Sequence, residues 1–284
     1  MNHLIETLNN VQPLIIIGML LLLWTVESFI PYFHHAVNRK KHTLNNLLAT
    51  LISFVVNGAL GVGLSFWMTY VADHHYGLLN MISLPPIISL VAGMLMIDFY
   101  DYWFHTASHK IPFMWRWHRV HHSDTELDST SSLRFHPFDI IAQAISWIPM
   151  FFLLGISSAS FVIYFTFYIA LIFLQHANIK IPRWIDKYGS YIFSTPGWHK
   201  MHHAADKKIT DTHYGDVFTF WDRLFGTGGP IDINNIDFGI EYFRTEKEQS
   251  VKNLMLMPFK PVKPNQAGAN EIISSMSTQE AHWG

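Results

Sequence analysis

The sequence predicts an all-α integral membrane protein, with about four transmembrane helices and a helical, histidine-rich cap on the cytosolic side. Three observations support this class. Half of the 284 residues are hydrophobic and only 14% are charged, whereas soluble domains carry about 25% charged residues. The apolar residues are gathered in four long stretches, and histidine, with 18 copies, nearly equals Lys and Arg together. A soluble helical protein with buried helices is the disfavoured alternative.

The four apolar stretches are long enough to cross a bilayer. They cover residues 13–30, 44–72, 84–104 and 140–175, and a spanning helix needs about 20 apolar residues. The last stretch carries no charge and is long enough for two helices. We therefore predict three single crossings followed by a helical hairpin that turns near Gly155.

The basic residues predict the orientation, because Lys and Arg collect in cytosolic loops. The first 12 residues and the loop at 73–83 contain none, whereas the loop at 31–43 contains three. Segment 105–139 contains four more, and the remaining twelve follow residue 176. With the predicted crossings, every Lys and Arg lies on one side. We expect the N-terminus outside and segments 105–139 and 177–284 in the cytosol.

Composition excludes several classes of function. The chain has no cysteine, which excludes disulfides, Cys-ligated zinc, iron–sulfur clusters and a Cys nucleophile. Its net charge is only −2, which gives no sign of nucleic-acid binding.

The third apolar stretch is predicted to carry two histidines out of the membrane. Proline at 85–86 suits a helix start and Pro112 a helix stop. His105 and His109 are four residues apart and share one helix face with Asp98 and Asp101. An Asp within a span is a functional candidate. We expect both aspartates to accept the second ring N–H of a metal-binding imidazole.

A six-residue phrase occurs twice, as WHRVHH at 117–122 and WHKMHH at 198–203. Each copy has histidines at helical spacings of three and four residues, and one further histidine ends the last apolar stretch. Nine histidines are therefore predicted on one side of the membrane: His105, His109, His118, His121, His122, His176, His199, His202 and His203. Nine imidazoles exceed the needs of one tetrahedral zinc; two metals with four or five ligands each fit the count.

The type of metal follows from the donors. Imidazole suits zinc, copper, iron and nickel. A metalloprotease needs a carboxylate base, as in HExxH, and no Glu follows any of these histidines. An open, all-nitrogen, two-metal site at the lipid boundary favours O2 activation by iron and attack on an unactivated C–H bond of a lipid. The rival hypotheses are a zinc-dependent membrane hydrolase and a non-enzymatic, histidine-rich metal transporter or sensor.

These motifs resemble those of the membrane-bound fatty acid hydroxylase / sterol desaturase superfamily of non-haem di-iron oxidoreductases. The resemblance covers roughly residues 90–228 and includes DFYDYWFHTASH, WRWHRVHHSD, RFHPFD, QHAN, TPGWHKMHHA and YGDVFTFWDRLFGT. It implies a four-helix membrane anchor and a cytosolic cap that holds two irons, although zinc could replace iron in a purified sample. The nine histidines match the ligands of the family.

The sequence departs from the family pattern in DTHYGD, where His213 precedes the closing Tyr-Gly in place of the usual Asn. His213 is a candidate metal ligand or a hydrogen-bonding partner of one. His136, in RFHP, matches a family motif and is expected to be structural or to support a ligand. Asp211 is a candidate partner of a ligating imidazole. The other histidines, His42 among them, are expected to be ordinary surface residues.

The resemblance also predicts a domain organisation. Residues 1–83 would form a two-span N-terminal anchor, residues 84–228 the catalytic domain, and residues 229–284 a cytosolic extension. The tail after residue 245 is polar, so we expect a linker and a loosely ordered end.

The expected reaction is O2-dependent hydroxylation or desaturation of a lipid by the di-iron centre, with no separate acid or base assigned. The sequence has no GxGxxG and no HPGG, so it predicts no flavin and no haem. Electrons would come from a separate b-type cytochrome or a ferredoxin with its reductase. The lipid stays open between fatty acyl, sterol and related classes, and the membrane between bacterial inner membrane and endoplasmic reticulum.

Overall fold

The computed structural model describes residues 2–34, 38–234 and 236–262. In these ranges the regular structure is helical. Five long helices dominate: α1 (Asn2–Phe29), α2 (Arg39–Asp73), α4 (Pro86–Lys110), α6 (Pro137–Leu154) and α7 (Ser158–His176). The shorter helices are α3 (Leu78–Met81), α5 (Pro112–His122), α8 (Arg183–Gly189), α9 (Pro196–His202), α10 (Lys207–Thr210), α11 (Phe220–Phe225) and α12 (Val251–Leu256).

Five segments of the described chain are long and apolar enough to cross a membrane, and the protein is a multi-pass membrane protein. They comprise three single segments and a pair, α6 and α7, that turns at Gly155. The number equals the five crossings counted from the apolar stretches, and it exceeds by one the four-helix anchor implied by the family resemblance. Gly155 adopts a left-handed conformation (φ 68°) at the end of α6, which glycine adopts readily.

The long helices pack in an order that brings the ends of α4 and α7 together. Helix α4 packs against both α6 and α7, while α1 packs on α7 and α2 on α6. The main core between them contains Ile97, Trp147, Phe151 and Tyr164. The histidine-bearing ends of α4 and α7 therefore lie side by side.

Prolines define where the ligand-bearing helices begin. Pro86, Pro112, Pro137 and Pro196 each occupy the first turn of a helix, where the missing N–H costs no hydrogen bond. The side chain of Thr195 accepts from the N–H of Trp198 and caps α9. The predicted limits of the third apolar helix are confirmed.

The expectation of a loosely ordered tail is wrong for residues 245–262. This segment contains α12 and a 3-10 turn, Met257–Phe259, and it buries Leu254 and Met257. The cause lies in α5, whose Arg119 donates from its buried guanidinium to the carbonyls of Met257 (2.5 Å) and Lys260 (2.8 Å). Residues 263–284 lie outside the described residues. The predicted domain boundaries at 83 and 228 stay a prediction. Helix α2, which precedes the first boundary, packs against α12, which follows the second.

Candidate metal centre

The structure brings all nine predicted histidines together in two adjoining clusters. Within each cluster, one potential ligand atom per residue lies within 4.8 Å of the others, and every member is buried. The five-histidine cluster consists of His105, His109, His118, His122 and His202. The four-histidine cluster consists of His121, His176, His199 and His203. This division into five and four matches the predicted two metals with four or five ligands each.

Each copy of the repeated phrase contributes to both clusters. WHRVHH supplies His118 and His122 to the five-histidine cluster and His121 to the four-histidine cluster. WHKMHH supplies His202 to the first, and His199 and His203 to the second. The repeat therefore does not encode one site per copy.

The nitrogen–nitrogen distances fit metal ions. In the five-histidine cluster, Nε2 of His105 lies 2.9 Å from Nε2 of His202. In the four-histidine cluster, Nε2 of His176 lies 3.3 Å from that of His121 and 3.2 Å from that of His199. Nitrogens bound at about 2.0–2.1 Å from one ion are separated by about 3 Å. The buried Nε2 of His118 has no hydrogen-bond partner among the described residues, as a nitrogen reserved for a metal requires.

Hydrogen bonds at Nδ1, on the side of the ring away from the cluster, fix the tautomer of three histidines. Carbonyl oxygens accept from Nδ1 of His105 (Tyr214, 2.9 Å), His176 (Ile172, 2.9 Å) and His202 (Thr212, 2.7 Å). A carbonyl only accepts, so Nδ1 carries the proton and the Nε2 lone pair faces the cluster.

Electrostatics keep five of the imidazoles outside the spans neutral. Burial, followed by the neighbouring imidazoles, holds the pKa values of His121, His122, His199 and His203 well below their ordinary value. The same burial and neighbours lower the pKa of His202. Neutral imidazole is the form that binds a metal.

Carboxylates lie behind three of the rings. Asp139 Oδ2 is 3.0 Å from Nδ1 of His118, and Asp216 Oδ1 is 3.2 Å from Nδ1 of His105. Asp211 Oδ1 lies 3.4 Å from Nδ1 of His109, while its other oxygen pairs with Lys110 at 3.0 Å. Asp211 is a predicted partner of an imidazole, and this role stays a prediction, whereas Asp139 is not among the predicted residues. The signal for Asp139 was its place at the end of RFHPFD.

Among the described residues, no imidazole forms a hydrogen bond or an ion pair with Asp98 or Asp101, contrary to the prediction. Asp98 accepts from the Tyr164 hydroxyl (2.8 Å) and from Nε1 of Trp221 (2.7 Å). Asp101 accepts from Nε1 of Trp147 (3.0 Å). Both share the helix face of the histidines, but aromatic side chains of α6, α7 and α11 donate the hydrogen bonds that these carboxylates accept. Their carboxylates therefore fasten α4 to its neighbours below the clusters.

His136 and His213 lie outside both clusters. Nδ1 of His136 accepts from the N–H of Phe138 and caps α6, and its Nε2 lies 3.2 Å from the Met255 carbonyl. His213 has a positive φ of 60°, and its Nε2 contacts the main chain of Gly229. Both rings therefore contact main-chain groups, and neither belongs to a cluster.

His42 is buried, so the expectation of a surface residue is wrong. Its Nε2 lies 2.8 Å from Oδ1 of Asp124, and its Nδ1 lies 3.3 Å from Oδ2 of Asp128. Asn46, one turn along α2, donates to Asp124 and to Thr130. Burial opposes the charge of Asp124, but His42 and Arg134 hold its pKa well below the ordinary value. This network ties α2 to the segment that follows the first phrase.

Comparison with known proteins identifies related sequences. The family model described as fatty acid hydroxylase matches residues 90–227. The chain is 31% identical over 226 residues to the ornithine lipid hydroxylase OlsE of Rhizobium tropici, an alignment that spans 75% of this chain and 66% of that protein. No solved structure matches the chain.

Two human proteins are also similar. Alkylglycerol monooxygenase of Homo sapiens is 27% identical over 176 residues, which is 61% of this chain and 35% of that protein. Lathosterol oxidase of Homo sapiens is 23% identical over 219 residues, which is 70% of this chain and 67% of that protein. The chain thus spans only about a third of the length of alkylglycerol monooxygenase.

Proposed function

The chain belongs to the fatty acid hydroxylase / sterol desaturase superfamily, and from this membership we propose that it is an O2-dependent membrane oxidoreductase that hydroxylates or desaturates an unactivated C–H position of a lipid. The observation that carries the proposal is the pair of buried, all-imidazole clusters at the ends of two apolar helices. The relatives named above are a lipid hydroxylase, a monooxygenase and a sterol oxidase, which supports the same chemistry.

The nine clustered histidines would hold two iron ions. Bound there, iron supplies what no side chain offers, activation of O2 toward an unactivated C–H bond. The chain's own residues would present Nε2 atoms to the ions. Asp139, Asp216 and Asp211 lie beside Nδ1 of His118, His105 and His109 and would orient these rings. Burial of all nine rings excludes water from the reacting region.

The depth of the site supports a lipid substrate. His105 follows the first residue of α4 by 19 positions, which is about 28 Å of helix, close to the hydrocarbon thickness of about 30 Å. The clusters therefore fit the plane where lipid chains meet their headgroups. The one-sided distribution of Lys and Arg supports a cytosolic location for the clusters, in a bacterial inner membrane or the endoplasmic reticulum.

The reaction balances with an external reductant. Hydroxylation consumes the lipid C–H, O2, two electrons and two protons, and yields the alcohol and one water. Desaturation consumes the same reagents, removes two hydrogens from adjacent carbons and yields two waters. The chain contains no flavin or haem motif, so we propose a separate electron donor, a b-type cytochrome or a ferredoxin with its reductase.

Untargeted lipid analysis tests the proposal. Cells with and without the gene are compared, and we expect a lipid class that gains one oxygen or loses two hydrogens only with the wild-type gene. The His118→Ala variant is the matched control and should abolish the product. Stoichiometric zinc in the purified protein, with lipid chemistry that survives removal of iron, would instead establish the hydrolase. Transport of metal without any lipid change would establish the transporter.

A further inference from the structure

Lys200 is a fully buried lysine in the middle of the second phrase, WHKMHH. Its ammonium group donates to two main-chain carbonyls, those of Ala177 (2.7 Å) and Gln175 (3.3 Å). Burial lowers its pKa to about 8, although Asp186 and Glu27 act in the opposite direction. Burial of an ammonium group is costly, so this placement requires a compensating role.

The two carbonyls flank a single histidine. Gln175 and Ala177 are the neighbours of His176, the last residue of α7. The last carbonyls of a helix lack partners within the helix, and a cation there is favourable. Lys200 supplies both the donor and the charge, and thereby joins α9 to the end of α7.

The joined segments carry ligands of the same cluster. His176 is the one member of the four-histidine cluster that α7 supplies, and His199, next to Lys200 in sequence, belongs to the same cluster. Their Nε2 atoms are 3.2 Å apart. The five-histidine cluster receives no residue from α7.

The corresponding residue of the first phrase has a different partner. Arg119 of WHRVHH is also buried, but it donates to the carbonyls of Met257 and Lys260, which lie beside no histidine of either cluster. Both phrases thus direct their basic side chain away from the clusters, and only the second reaches the main chain around a ligand.

We propose that Lys200 is a positioning residue for the four-histidine site, and that its hydrogen bonds to Gln175 and Ala177 hold His176 in place relative to His199. The inference requires that the two clusters bind metal. It does not require oxidation of a lipid, so it stands or falls separately from the proposed function.

The test measures metal binding at each site separately in the full-length protein. Lys200→Met is combined with His109→Ala, which weakens the five-histidine site, and in a second protein with His203→Ala, which weakens the four-histidine site. Each purified protein is titrated anaerobically with Fe(II). We expect Lys200→Met to weaken the remaining site at least about tenfold in the His109→Ala background and less than about twofold in the His203→Ala background. Lys187→Met, at an exposed position of α8, should change neither.

Two further variants separate positioning from general stability. Lys200→Gln keeps a neutral hydrogen-bond donor and should restore part of the Fe(II) affinity of the four-histidine site. If Lys200→Met does not fold, Lys200→Gln takes its place, and it should weaken the four-histidine site more than the five-histidine site. Arg119→Met removes a comparable buried cation, and it should not weaken Fe(II) binding at the four-histidine site more than at the five-histidine site. Equal weakening of both sites by the Lys200 variants, or unchanged affinity at both, would overturn the proposal.

Discussion

Nε2 of His105 lies 2.9 Å from Nε2 of His202, although 97 residues separate the two along the chain. Each ring donates its Nδ1–H to a carbonyl, of Tyr214 and of Thr212 respectively. When both rings are neutral, each Nε2 atom carries a lone pair, and two lone pairs that face each other cannot form a hydrogen bond. A metal ion bound between them would remove this repulsion.

Removal of metal should therefore destabilise the protein. Saturation at about 100 times the dissociation constant contributes about 2.7 kcal/mol, which corresponds to a change of roughly 5–10 °C in the unfolding midpoint. We expect a chelator to lower the midpoint by this amount, and Fe(II) to restore it. Thermal unfolding in detergent measures the change, and His105→Ala, which already lacks one ligand, should respond less. A midpoint that ignores the chelator would contradict the assignment of the clusters.

Asp139→Asn should reduce metal affinity or activity about 10- to 100-fold, because the amide loses the charge that orients His118 through Nδ1. Iron content and product formation measure the effect. Asp206→Asn is the control, since Asp206 caps α10 and Asn is an equally good cap. Equal activities of the two variants would show that Asp139 does not support His118.

Asp98→Asn should affect folding more than metal binding. Asp98 accepts from Tyr164 and Trp221, and an amide directs an N–H₂ group at one of these donors. We expect the free energy of unfolding to fall by about 1–3 kcal/mol, with unchanged iron per folded molecule. Selective loss of iron at normal stability would restore the predicted role of Asp98 behind an imidazole.

Gly155→Ala should destabilise the turn between α6 and α7. The residue has φ 68°, and an added Cβ would lie 2.8 Å from the Tyr76 carbonyl oxygen. The left-handed conformation alone costs an L-residue about 1–2 kcal/mol. Gly61→Ala, in α2 with no atom within 4 Å of the added Cβ, should be neutral or stabilising. Thermal midpoints of the two variants give the comparison, and similar values would argue against strain at Gly155.

Ending the chain at residue 245 should lower both stability and metal content. The truncation removes the carbonyls that Arg119 binds and the Gln249 side chain that accepts from Arg134, and it leaves two buried guanidinium groups without these acceptors. A chain that ends at residue 262 keeps all of these contacts and is the matched control. Normal metal content in the shorter chain would show that α5 holds its position without this support.

Most of the site could be predicted from the sequence because several candidate ligands lie on one helix, at short and recognisable intervals. His118, His121 and His122 share a helix, so intervals of three and four residues reveal them. The same logic failed for Asp98 and Asp101, since helix periodicity identifies a face but not the Trp and Tyr donors that arrive from other helices.

Long-range partners account for the other errors. His42 is buried because Asp124, 82 residues away, lies against it. Residues 251–259 are ordered because α5 supplies a donor for their carbonyls. No local pattern around His42 or in the polar tail announces either contact.

The histidines of each repeated phrase are divided between the two clusters, and this division has a geometric consequence. His121 and His122 are adjacent in sequence yet belong to different clusters, as do His202 and His203. The separation between the two clusters is therefore set by the backbone geometry of two short helices, and a movement of α5 or α9 as a unit would displace histidines of both clusters together. A substitution within either phrase that leaves the histidines untouched but alters the pitch of the helix would change the distance between the two clusters.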